Sequence, residues 1–236
     1  MSLLLSIQDG AAQIAQNMPD LTASPEVQEV KMNILELAMK GGLIMIPIML
    51  LLFVAVAVFI ERYLVIRKAG KEDTTFMNRI KDYIHEGKID SAINLCRNTN
   101  TPYARMIEKG ISRLGRPMND ILVAIENVGQ IEIAKLEKGF PWVATTAGGA
   151  PMLGFLGTVT GMVRAFFDMA NAGANVDITL LSSGIYEALV TTVAGLIVGI
   201  IALFEYNYLV AKVNGVVNKM ESRSMEFMDL LNEPTK

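Results

Sequence analysis

Gly184-Ile185-Tyr186-Glu187-Ala188-Leu189-Val190-Thr191-Thr192-Val193-Ala194-Gly195-Leu196 is the stretch from which the rest of this chain can be read. It lies inside an apolar run from about Ile178 to Phe204, long enough to cross a hydrocarbon layer as a helix. The run carries one carboxylate, Glu187. Residues such as Asp, Lys or Arg cost roughly 2.5–3.5 kcal/mol at the centre of an inserted helix, so Glu187 is expected to face protein or water. Gly184, Ala188, Thr192, Gly195, Gly199 and Ala202 recur at steps of three or four, giving one face that admits a second helix at close range. A packed membrane assembly with Glu187 as its functional residue is the expectation.

Two other blocks share this character. Gly41 to Ile60 spans roughly 30 Å as a helix, one hydrocarbon thickness, with Pro47 a candidate kink. Pro141 to about Val163 is the other. Only 19% of residues are charged and 52% are hydrophobic, with a mean hydropathy of +0.38, against about a quarter charged in ordinary soluble domains. The expected fold class is all-α: an integral membrane protein with three transmembrane helices, its long helices extending into a cytoplasmic helical domain.

Charge sets the expected orientation. Of 21 Lys and Arg residues, 14 fall between Arg62 and Lys138, two precede Gly41 and none lies between Asp168 and Ser183. Positive-inside reasoning places the N-terminus outside and the C-terminus inside. The expected divisions are an external segment over 1–40, spans over 41–66, 139–168 and 178–210, a cytoplasmic domain over 67–138, an external loop over 169–177 and a cytoplasmic helix and tail over 211–236. Ser24-Pro25 followed by Val27, Val30, Ile34 and Leu37 predicts an amphipathic helix in the external segment. Leu3-Leu4-Leu5 lacks the basic leader and apolar length of a secretory signal, so this segment is expected to be retained. Arg62, Tyr63, Arg67, Lys68 and Lys71 read as a basic and aromatic edge at the membrane exit.

Within the loop, Phe76, Ile80 and Tyr83 predict a helix ending by Gly87, and Asp90 is a candidate cap for the next. Thr101-Pro102 opens a third, closed by Gly115, and from Ile121 the periodic pattern runs on toward the second span. His85 reads as a solvated helix residue and Cys96 as a small buried apolar one.

The second span carries Gly154-Phe155-Leu156-Gly157-Thr158-Val159-Thr160-Gly161. Gly154, Thr158, Gly161 and Ala165 share a face suited to close helix packing, and Thr158 and Thr160 offer hydroxyls to a hydrated or ion-conducting path. Thr158 and Glu187 lie about 14 residues to either side of the turn near Ala172, so a regular hairpin would bring them to one depth, roughly 20 Å of helix below it. Thr191 sits nearly on the Glu187 face, whereas Thr192 is rotated from it by roughly 140°. Arg164 and Asp168, four residues apart, read as an interfacial ion pair.

These two motifs, with Glu61-Arg62 after the first span and the order of elements, resemble the ExbB/TolQ/MotA family of proton-channel subunits, and the organisation is most similar to ExbB. Thr160 departs from enteric relatives, which carry tryptophan there. The resemblance implies a homo-oligomer, a pentameric ring, enclosing a dimeric ExbD-like single-span partner, with work passed to a TonB-like protein in the inner membrane. By motif position it assigns Thr158, Glu187 and Thr192 to the ion pathway or partner-helix contact, with Thr160 and Thr191 as secondary candidates. Gly154, Gly157, Gly161, Gly184, Gly195 and Gly199 are the candidate helix-packing positions.

Other classes fit less well. No GxxxxGK[ST] run is present to cradle a nucleotide, and no CxxC or HExxH pattern to hold a metal. No clustered catalytic constellation marks the loop, so no enzyme, cofactor or nucleic-acid partner is expected, the lipid bilayer being the medium. The alternatives are a TolQ- or MotA-like stator and a non-conducting membrane scaffold.

Overall fold

The computed structural model describes residues 42–71, 73–171 and 178–232. The amphipathic helix expected within 1–40 and most of the turn between the second and third spans lie outside the described residues. Among the described residues all regular structure is helical: α1 Met45–Ala69, α2 Phe76–His85, α3 Ile89–Thr99, α4 Pro102–Ile111, α5 Met118–Leu136, α6 Phe140–Asn171 and α7 Ile178–Asn232. Helices α1, α6 and α7 are long and apolar enough to cross a membrane. Their outward faces carry large apolar side chains in the open, with Phe53 76%, Phe155 67% and Phe204 72% exposed. Water penalises such a surface and lipid tails do not.

Helix α7 has 55 residues, about 80 Å at 1.5 Å per residue. That is more than twice the ~30 Å of a hydrocarbon core. The helix therefore runs on past residue 210 without a break, one of the long helices expected to extend beyond its span. Pro47 sits in the first turn of α1, where an amide has no helical acceptor, so it removes no internal hydrogen bond. The interior proline belongs to α6, where Pro151 leaves the Ala147 carbonyl without its usual donor.

Helices α2 to α5 form no core of their own. They close around the ends of α1 and α7 that extend beyond the apolar segments, in one cluster that includes Ile66, Phe76, Ile107, Ile125, Leu209 and Phe227. At Gly110 of α4 a Cβ would lie 2.6 Å from the Phe227 ring and 2.8 Å from Ile125 Cδ1, so only glycine allows that approach. Cys96 is fully buried in this cluster, and burial pushes its thiol up to about 12.

Three local expectations are corrected. Asp90 does not cap α3; Lys88 holds that position and Asp90 lies in the first turn, where its charge faces the positive end of the helix. The periodic run after Ile121 does not continue into the second span. It stops at Leu136, and Gly139, at φ +91°, turns the chain so that Pro141 enters the first turn of α6. Arg62, expected as part of an open basic edge, is covered by protein. It is 7% exposed, pairs with Glu61 and donates from Nη1 to the Lys135 carbonyl at 3.2 Å, tying α1 to α5.

Glu132, buried on α5, accepts hydrogen bonds from Arg105 of α4 and from Lys135, the latter at 2.6 Å. Burial by itself pushes this carboxyl up. The two cations outweigh that and hold it below the usual glutamate range.

Candidate functional site

The candidate site is the hairpin of α6 and α7, and its register follows from small residues meeting small residues. A Cβ on Gly184 would lie 2.6 Å from Ala165 Cβ, and one on Gly161 2.8 Å from Ala188 Cβ. A Cβ on Gly157 would overlap the Thr191 side chain; one on Gly154 would lie 2.9 Å from the Thr191 carbonyl oxygen. Deeper along the pair, Gly195 would meet the Ala150 carbonyl oxygen at 2.5 Å and Gly199 the Pro151 ring at 2.5 Å. All six glycines singled out in the sequence thus lie at backbone-close contacts between the two helices. Such approach replaces the hydrophobic effect, which does not drive helices together in lipid.

This register separates Thr158 from Glu187. Ala188 stands opposite Gly161, and Thr191 opposite Gly157. Glu187 therefore lies about one helical turn nearer the α6–α7 connection than Thr158 does. The expectation that hydroxyl and carboxyl share one depth is corrected by that turn, because the small-residue contacts pair the two helices in a different register.

Thr158 instead meets Thr192. Their hydroxyl oxygens are 2.8 Å apart, Thr192 also donates to the Gly154 carbonyl at 2.9 Å, and Thr158 reaches the Phe155 carbonyl at 2.8 Å. Two protons thus serve a chain of two hydroxyls with a carbonyl at each end. Either the Thr158 proton points to Thr192 while Thr192 donates to Gly154, or the Thr192 proton points to Thr158 while Thr158 donates to Phe155. Both arrangements place every proton.

Glu187 belongs to a second constellation. It lines a cavity of about 440 Å³ with Thr160, Arg164, Asp168 and Thr191. Thr191 is 2% exposed and donates to the Ala188 carbonyl at 2.7 Å; Thr160 donates to the Leu156 carbonyl at 2.8 Å. Thr191 and Thr192 serve different neighbours, as their rotation around the helix requires. Arg164 and Asp168 both face this cavity, and no ion pair joins them among the described residues.

One site residue was missed from sequence. Gly42, just before α1, has φ +64°, and a Cβ there would overlap Glu187 Oε1. The entrance of α1 thus closes over the carboxylate through a residue without a side chain. The only sequence sign was the Gly41-Gly42 pair that opens the first apolar block. Among the described residues no group of His, Cys, Asp and Glu is placed to hold a metal ion.

A family model described as the MotA/TolQ/ExbB proton channel family matches residues 98–222, from the end of α3 into the extramembrane part of α7. The chain belongs to that family. Both halves of the site lie within the matched region. Among relatives, a protein of Methanothermobacter thermautotrophicus named as an ExbB homologue of biopolymer transport is 26% identical over 80% of this chain and 67% of its own length. An ExbB-like protein of Synechocystis is 30% identical over 76% of this chain and 71% of its own. The Tol-Pal system protein TolQ of Haemophilus influenzae is 27% identical over 86% of this chain and 95% of its own. As a member of the family, the chain is a membrane-embedded proton-channel subunit.

Proposed function

We propose that this chain is the ring-forming subunit of an inner-membrane motor that uses proton motive force, together with an ExbD-like single-span partner, to energise TonB-dependent outer-membrane transport. The ring is a homopentamer around a partner dimer, its N-terminus periplasmic and its C-terminus cytoplasmic. What carries the reading is Glu187, a carboxylate inside an apolar span, beside a cavity that also holds Thr160 and Thr191. A proton is taken up at that carboxylate, and the Thr158–Thr192 pair, with its two alternative proton arrangements, lies about one turn farther from the α6–α7 connection. The partner's membrane carboxylate completes the path. Glu187→Ala and Thr158→Val are expected to abolish proton-motive-force-dependent uptake while the detergent-extracted complex keeps its mass. Normal uptake in both variants would overturn the assignment. A complex of unchanged mass with no short single-span partner would support the non-conducting scaffold instead.

The breadth of the TolQ match, 95% of that relative's length, favours one second reading: the same motor working on envelope maintenance. Deleting the gene separates the two, since lost siderophore uptake supports the first and detergent sensitivity with normal uptake the second.

A further inference from the structure

Where the lipid-facing surfaces of α1 and α7 end, these helices border a cavity of about 410 Å³. The last large apolar side chains exposed on α1 are Leu64 and Val65; on α7, Tyr208 is the last before Met225. The cavity begins at that depth. Arg67, Lys212 and Lys219 line it together with Tyr63 and an apolar wall that includes Leu209, and among the described residues no carboxylate lines it. Phe59, Tyr63 and Tyr208 form an aromatic group beside it, with ring centres 6.1–6.3 Å apart, the residue class that sits at the level of lipid headgroups.

Basic residues near a helix C-terminus commonly offset its exposed carbonyls. Lys219 does so here, donating to the Gly70 carbonyl at 3.3 Å. That role leaves Arg67 and Lys212 unaccounted for. Lys212 Nζ lies 5.4 Å from the centre of the Tyr208 ring, a contact that keeps its charge at the aromatic group without neutralising it. Gly215 keeps the groove open, because a Cβ there would meet nothing within 4 Å. Three cations, an aromatic rim and an apolar wall at the membrane boundary make the combination that basic pockets between transmembrane helices use for phosphate headgroups.

We propose that this cavity binds the headgroup of an anionic phospholipid, whose acyl chains run back along the apolar faces of α1 and α7. The inference depends on the three spans alone, so it stands or falls separately from the ion path and its client. In the orientation proposed above the lipid belongs to the cytoplasmic leaflet.

The test is native mass spectrometry of the detergent-extracted full-length complex, titrated with phosphatidylglycerol, with phosphatidylethanolamine or with inorganic phosphate. Phosphatidylglycerol is expected to bind at least tenfold more tightly than phosphatidylethanolamine. Arg67→Gln and Lys212→Gln are each expected to weaken it roughly fivefold, the contribution of one cation near a membrane surface. Gly215→Leu, which fills the groove and keeps every charge, is expected to weaken it comparably. Equal binding of the two lipids, or unchanged phosphatidylglycerol binding in both charge variants and in Gly215→Leu, would overturn the proposal. Saturable binding of inorganic phosphate that displaces the lipid would overturn it too, in favour of a soluble anion.

Discussion

Glu187 and Gly42 define the site at the scale of single residues, and only one of them announced itself in the sequence. A lone carboxylate in an apolar run is conspicuous because its insertion cost demands an explanation. A glycine ahead of another span has no such cost, and its meaning depends on a contact across more than a hundred positions. Gly42→Ala should displace the carboxylate, since its Cβ would occupy the place of Glu187 Oε1 and φ +64° disfavours any side chain. Proton flux in proteoliposomes is expected to fall about tenfold or more, the scale for a reacting group misplaced by ~1 Å. Wild-type flux in this variant would mean that the contact does not position Glu187. Cys96 offers a second residue-scale check. With its thiol pushed up to about 12, on the order of one molecule in ten thousand is thiolate at pH 8. Native protein is expected to resist iodoacetamide over hours at pH 8 and to react fully once denatured; rapid native labelling would contradict its burial.

At the scale of elements, the hairpin of α6 and α7 was legible in kind but not in register. The glycine spacing of both spans revealed close packing, because a small residue every three or four positions has few other uses in lipid. Register depends on which small residue meets which across the pair, and with several glycines at the same spacing on both helices the sequence does not single out one match over another a turn away. The same limit applies to the junction of α5 and α6, where an unbroken hydrophobic pattern concealed the turn made by Gly139. Gly195→Ala tests the observed register directly. Its Cβ would lie 2.5 Å from the Ala150 carbonyl oxygen and 2.9 Å from Gly154 Cα, both backbone atoms that cannot rotate away. Overpacking of this kind costs about 1–3 kcal/mol, more than the ~1 kcal/mol that alanine gains over glycine in a helix. A lowered thermal midpoint in detergent is the expected outcome, and a raised one would place the α6–α7 contact elsewhere.

Across the whole molecule, a short polar network fastens the extramembrane helices to the first span. Arg105 of α4 and Lys135 converge on Glu132, and the Lys135 carbonyl receives Arg62 from α1. None of these partners could be matched from sequence, because they are brought together across three helices. Because the folded Glu132 carboxyl titrates below its unfolded value near 4.3, its stabilisation is complete above that value and is lost as pH falls through the folded one. Glu132→Gln should lower stability at pH 7 by about 2 kcal/mol, allowing for the solvent screening of Arg105 and Lys135. It should also flatten the decline of the thermal midpoint below pH ~4. An equally steep acid decline in the variant would assign that decline to other carboxylates.

The uninterrupted backbone of α7 has a mechanical consequence. Glu187 and Phe227 belong to one rod and are separated along it by about 60 Å, with Phe227 fully buried against α4. No break interrupts the helix between the two. In the function proposed above, a twist beside the carboxylate would be carried to the extramembrane helices by one continuous helix.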